Sequence, residues 1–381
     1  MWPRTSRVRW RTNRGAPVVT ARSWSFRRVS TTGRAPLASL GIPFGLAGLA
    51  GTWTMAGATL GTPAGIGDAL WLLATVVWIA AIGNYLVRSR NHGGRVLRDV
   101  DDPVQGPFAS LAPTTGMLIG SHLAVSLPLV GRSLSVACIG LALVLGARFV
   151  AQLAVRENSV DLVHAGYLLP TVAAFLIAGQ SAGGLGWPVA AIAGIGVGLL
   201  FWLLLGTIVL ARMAFRPPLP AVLLPTFAIF SAPPAVAGNA WFAVNGGGLD
   251  TAQHLLLGTF VLLIGVQLAM VVTYWRLSFT LGFWAFTFTA ASSGTYALHW
   301  LDLAGAPGRQ VWGYLVLAVV TALIGSIAVR SVLFLVRAHA TSLRSGVALP
   351  ANRTGRSPAR ASRLPRAGFS LKGKANAPMT G

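Results

Sequence analysis

Acidic residues and cysteine are both scarce. Eight Asp and Glu stand against thirty Lys and Arg in 381 residues, and charged side chains make up only 10% of the chain. A soluble globular protein carries about 25%. So little charge cannot clothe the two or three soluble domains expected at this length, which excludes a soluble enzyme. The single Cys138 excludes a disulfide framework and any cysteine-based metal cluster. It lies in an apolar run, where a thiol serves as a small hydrophobe. HExxH, a Walker loop and a Ser/His/Asp arrangement are missing too. The glycine-rich stretches lack a strand–turn–helix setting, and Gly194, Gly196 and Gly198 fit close helix packing instead. His122 sits inside an apolar run, and His164, His254 and His299 sit near the ends of others, without metal-ligand spacing. No catalytic residue, metal or cofactor is expected.

What the sequence has is apolar length. Hydrophobic residues make up 54% of it and the mean hydropathy is +0.67. A bilayer-crossing helix needs about 20 mostly apolar residues. Ten runs qualify: 36–57, 68–87, 106–130, 133–155, 163–182, 186–211, 219–244, 252–275, 277–301 and 310–336. Backbone groups in lipid must be satisfied within the segment, so each run is read as helical. Apolar/polar alternation in segments of about 10 residues, the mark of a barrel, is not seen. The reading is an all-α integral membrane protein of ten transmembrane helices in five hairpins.

Ten spans put both termini on one side. With that side cytoplasmic, 28 of the 30 Lys and Arg fall inside, and only Arg132 and Arg309 outside, as the positive-inside rule demands. The net charge of +22 is thus topological, and no nucleic-acid partner is expected. Residues 1–35, with nine Arg and no acid, could pass for a transit peptide. We read them as a disordered cytoplasmic arm or the product of an over-called start codon. Residues 337–381 read as a disordered basic cytoplasmic tail able to touch anionic lipid. The membrane domain is 36–336.

A repeat runs through the odd-numbered spans. Leu111-Ala112-Pro113-Thr114, Leu168-Leu169-Pro170-Thr171 and Leu223-Leu224-Pro225-Thr226 lie at matching depth, as does Pro43 in span one. Span nine has Phe286-Thr287-Phe288-Thr289 in the corresponding place. A proline inside a helix removes one N–H and frees a carbonyl one turn back, which a membrane tolerates where hydroxyls, neighbours or water can satisfy it. Five parallel helices kinked at one depth suggest an inner ring around a path, with the even helices outside. No acid lies deep in a span. Arg148 and Arg330 fall in the cytoplasmic third, where they are expected to snorkel. The path would be uncharged and lined by Thr, small residues and aromatic rings, which favours weakly bound, fast-moving anions.

The chain resembles the tellurite-resistance/dicarboxylate transporter family. The likeness is carried by Gly41-Ile42-Pro43-Phe44-Gly45-Leu46-Ala47, by Asp102-Pro103-Val104 with Phe108 to Thr115, by Tyr167 to Val172, and by Trp284-Ala285-Phe286-Thr287-Phe288. The resemblance implies a five-helix pore, usually in a homotrimer, plugged by a phenylalanine of helix nine that matches Phe288. Where many relatives carry Pro after this Phe, this chain has Thr289. Pore-lining candidates are Pro43, Phe44, Pro113, Thr114, Pro170, Thr171, Pro225, Thr226 and Thr287. The expected function is a multi-pass cell-membrane channel or transporter for small inorganic or organic anions, in contact with membrane lipids. The alternative is a coupled carrier or exporter of C4-dicarboxylates, sulfite or tellurium oxyanions.

Overall fold

The computed structural model describes residues 37–91, 96–157, 159–305 and 307–347. The expected arm over 1–35 lies outside them, as does the tail beyond residue 347. Residues up to Leu333 belong to one compact unit, and a second begins at Phe334. Among the described residues every regular element is helical: α1 (Gly41–Leu60), α2 (Ala64–Asn91), α3 (Val96–Val100), α4 (Leu111–Ser126), α5 (Pro128–Val155), α6 (Ala174–Gly184), α7 (Pro188–Phe215), α8 (Pro233–Phe242), α9 (Thr251–Trp275), α10 (Ala285–Leu303) and α11 (Arg309–Val347).

Eight helical stretches among the described residues are long and apolar enough to cross a membrane. The two remaining expected spans, 219–244 and 277–301, fall short for visible reasons. In the first, Pro233 and Pro234 split a 3₁₀ stretch, Leu224–Ser231, from the ten-residue α8. In the second, α10 follows a 3₁₀ turn, Leu281–Trp284, and its 19 residues include five Ser and Thr. Both are helices diluted by polar and helix-breaking residues rather than loops.

Burial separates odd from even. Buried residues make up 61%, 67% and 83% of the apolar stretch in spans one, three and five, against 11%, 22%, 33%, 6% and 22% in spans two, four, six, eight and ten. Leu72, Val189 and Val272 are more than half exposed on the even helices. Apolar surface on that scale does not face water in a stable monomer; it is the face a bilayer solvates. The odd-span helices pack in succession, α1 on α4, α4 on α6, α6 on α8, α8 on α10, and α10 back on α1. Of the three glycines expected to pack helices closely, Gly194 and Gly198 lie against α6, and Gly196 faces open space.

The phased prolines do something other than kink a continuous α-helix. Each odd span enters through a tight 3₁₀ turn: Leu37–Leu40, Gly106–Ser110, Ala165–Leu168, Leu224–Ser231 and Leu281–Trp284. Pro43 and Pro113 then occupy the third position of α1 and α4. Pro170 is second in a π turn, Leu169–Ala173, and Pro225 is second in its 3₁₀ stretch. Pro225, near the start of its stretch, removes an N–H that has no intrahelical partner anyway, whereas Pro43, Pro113 and Pro170 sit just past the point where one helix type passes into the next. The repeat therefore marks a change of helix type.

Candidate functional site

The N-terminal ends of the five odd spans surround a cavity of about 520 Å³. Gly41 and Phe44 come from the first, Phe108 and Leu111 from the third, and Leu168, Val172 and Leu176 from the fifth. Thr226, Ile229 and Val236 come from the seventh, and Trp284, Phe288 and Thr289 from the ninth. Helical spacing explains the selection, since residues three or four apart share a face: Gly41 with Phe44, Val172 with Leu176, Ala232 with Val236, Ala285 with Phe288.

No Lys or Arg lines this cavity among the described residues. Its polar groups are turned to nearby backbone. The Asp102 carboxylate accepts from the Val104 and Gln105 amides at 2.9 and 2.7 Å. Thr226 Oγ1 donates to the Leu223 carbonyl at 2.6 Å, and Thr289 Oγ1 to that of Ala228 at 3.2 Å. Thr280 Oγ1 accepts from the Gly282 amide at 3.3 Å. Spent on local bonds, these groups leave a wall that is largely apolar, with Asp102 its one charged side chain among the described residues.

In the wall of the cavity the Phe288 ring stacks on Phe44, with centroids 3.7 Å apart and planes 17° apart. Phe288 is only 9% exposed. Phe286 turns the other way and meets the Tyr274 ring edge-on at 4.7 Å. Close approach of α1 holds the stack in place: a Cβ on Gly48 would sit 2.9 Å from both Phe288 Cδ2 and Ala291 Cβ.

Of the residues singled out from sequence, Phe44, Thr226 and Phe288 meet at this cavity. Pro43, Pro113, Thr114, Pro170, Thr171, Pro225 and Thr287 are buried between helices and are not among its lining. Thr114 Oγ1 donates to the Ser110 carbonyl at 2.6 Å and Thr287 Oγ1 to that of Trp284 at 2.8 Å, while the Thr171 hydroxyl is buried without a partner. Asp102, Gln105 and Thr289 line the cavity without having been picked out as lining. Helical spacing from Ala285, four residues earlier, would have found Thr289; the two loop residues carry no periodic signal.

Arg148 also departs from expectation. It does not snorkel alone but grips Asp101, through Nη2 to Oδ1 at 2.7 Å and Oδ2 at 2.9 Å, and Nε to Oδ1 at 3.0 Å. Gln152 donates to the same carboxylate, and Arg156 Nη2 approaches it at 3.0 Å. Partial burial would raise the Asp101 pKa, but the bonds from Arg148 and Gln152 and the charges of Arg148 and Arg156 outweigh it and hold the carboxyl below its usual range. The pair ties α5 to the segment carrying Asp102, and so to one wall of the cavity. A carboxyl depressed in the folded state adds stability above its unfolded pKa, about 3.9, and loses it as pH falls through the lower folded value. Asp101→Asn should therefore destabilise the protein at neutral pH by about 1–2 kcal/mol, a charged hydrogen bond discounted for solvent exposure. Thermal unfolding in detergent should show the gap between variant and wild type closing as pH is lowered below about 4. A gap independent of pH would dismiss the ionic account.

Apolar faces turned outward and a largely apolar cavity enclosed by helix ends define an α-helical, multi-span membrane protein of the channel or transporter kind. The chain belongs to the SLAC1 family of voltage-dependent anion channels, whose model matches residues 34–332. It is also similar to the tellurite resistance protein TehA homolog of Haemophilus influenzae, with 29% identity over 269 residues, 69% of this chain and 80% of the relative. The protein is a membrane transport protein and not an enzyme.

Proposed function

We propose that the protein passes small anions along a largely apolar path inside the five odd spans, and that the Phe288 ring blocks it at rest. The observation that carries this reading is the cavity itself. All five odd spans contribute to it, it holds no fixed cation among the described residues, and the stacked Phe44 and Phe288 rings form part of its wall. A wall without a fixed cation binds anions weakly, and weak binding suits conduction. A coupled carrier of dicarboxylates, sulfite or tellurite would need a substrate-binding cation, and Arg148 is engaged by Asp101 instead. Spans seven and nine complete ten crossings in this reading, five hairpins with the odd helices innermost. Pro43, Pro113, Pro170 and Pro225 shape the entries of this ring, and Thr114, Thr171 and Thr287 stand behind its surface. The resemblance adds a homotrimer, whose contacts would be drawn from the outward apolar faces alongside lipid.

The test is anion flux through purified protein in liposomes, with chloride, nitrate, sulfite, a C4-dicarboxylate and tellurite compared. Electrogenic flux of monovalent anions without a coupling ion is expected. Strict dependence on a proton or sodium gradient would replace the channel with the carrier. Both termini should be cytoplasmic, as the 28 inner cations demand. A reporter fused after Gly381 should signal from the cytoplasm, and a signal from the outer side would sink the ten-span count.

A further inference from the structure

Two acids stand side by side in the loop that leads into span three, and their surroundings differ. Asp101 is met by Arg148, Arg156 and Gln152, so its charge is balanced within the protein. Asp102 has no Lys or Arg partner among the described residues. Its Oδ1 takes the Val104 and Gln105 amides at 2.9 and 2.7 Å, and its Oδ2 takes no hydrogen bond from a described residue. Neutral backbone amides steady a carboxylate but leave its charge in place.

Asp102 lines the cavity and is also exposed, so it stands where the cavity meets solvent. The loop is held there from two sides. Arg148 anchors Asp101 to α5, and Gln105 Oε1 accepts the Ala38 amide, at the entry of span one, at 3.3 Å. A carboxylate fixed at the rim of a cavity with low-dielectric walls projects its field inward. No cation in the lining offsets that field among the described residues.

We propose that Asp102 sorts anions by charge as they enter the cavity. The proposal rests on the conduction reading above and deepens it by naming a residue that sets the class of anion passed. Coulomb repulsion grows in proportion to the charge of the ion. The Boltzmann factor against a divalent anion is therefore the square of that against a monovalent one. With the carboxylate roughly 6 Å from a passing ion in water-like surroundings, entry of a monovalent anion falls about threefold and that of a divalent one about tenfold. Singly charged anions such as nitrate are thereby favoured over sulfate without being bound.

Asp102→Asn removes the charge and keeps the turn, because the amide oxygen of Asn can accept from the same two backbone amides. Flux is read in liposomes carrying full-length protein, with the membrane potential clamped to nil. In the Phe288→Ala background, adding Asp102→Asn should raise nitrate flux about threefold and sulfate flux by about the square of that factor. Asp102→Ser, whose hydroxyl also accepts from turn amides, gives the same reading should Asp102→Asn fail to assemble. Separately, Ala38→Cys in a Cys138→Ala background places a thiol in the cavity wall, and Thr226→Cys serves in its place should that variant not fold. Removing the Asp102 charge should speed the reaction of this thiol with an anionic methanethiosulfonate and slow that with a cationic one. The ratio of the two rates should shift about tenfold, while a neutral reagent reacts unchanged. If Phe288→Ala conducts but nitrate and sulfate rise by one common factor, or not at all, Asp102 is no charge filter and the path stands. If Phe288→Ala does not conduct, the gate reading has failed, and the thiol rates alone judge Asp102: an unchanged ratio overturns the proposal.

Discussion

Phe288→Ala is expected to raise anion flux through reconstituted protein by about tenfold or more, which asks the ring to contribute only about 1.4 kcal/mol to the barrier. The ring lines the cavity, stacked on Phe44, and in the proposed reading an ion must shed hydration to pass it. Truncation adds no charge, so preference among anions should change little. Stability should fall by less than the ~3–5 kcal/mol of a packed-core Phe→Ala, because the ring already borders a void. The loss includes roughly 0.5–1.5 kcal/mol of ring stacking. Phe286→Ala is the internal control. That ring packs on Tyr274, so its loss should cost stability and leave flux at the wild-type level. Folded, assembled Phe288→Ala protein with wild-type flux would remove Phe288 as the gate. An open path in Phe286→Ala would mean that the register of α10 is misjudged.

That register could be read from sequence because two signals agree on it. The aromatic-Thr alternation of residues 286–289 sits where the other odd spans carry Pro-Thr, and a helix puts Phe286 about 200° away from Phe288. The division into buried odd and exposed even helices was legible for a similar reason, since Pro and Thr accumulate only on the odd ones. The threonines misled because a hydroxyl near a helix start has a competing use. Thr114 and Thr287 bond to carbonyls within their own turn, and nothing in a Pro-Thr pair says which use prevails. Asp101 and Arg148, 47 residues apart, could not be paired without the fold, because a membrane-embedded Arg is equally served by snorkelling.

Gly48→Ala probes the proposed gate from the opposite helix. Gly48 lies one turn beyond Phe44 on α1, and the added methyl would stand 2.9 Å from both Phe288 Cδ2 and Ala291 Cβ. Contacts that close force something to move. Ala291 cannot yield, because its methyl is fixed to the backbone of α10 and is fully buried. The flexible neighbour is the Phe288 ring, which has the cavity to rotate into. Overpacking of this kind costs about 1–3 kcal/mol, shared between displacing the ring from Phe44 and spreading α1 from α10. We expect a lower unfolding temperature and a leak of anions, smaller than that of Phe288→Ala but clear above wild type. The double variant Gly48→Ala with Phe288→Ala separates the two costs. With the ring removed, its clash with the new methyl disappears, so the double variant should be destabilised by less than the sum of the single ones, a coupling that residues in contact show. Strict additivity, or a Gly48→Ala protein as tight and as stable as wild type, would mean that Phe288 is not held by α1 and that its stack on Phe44 does not set the resting state.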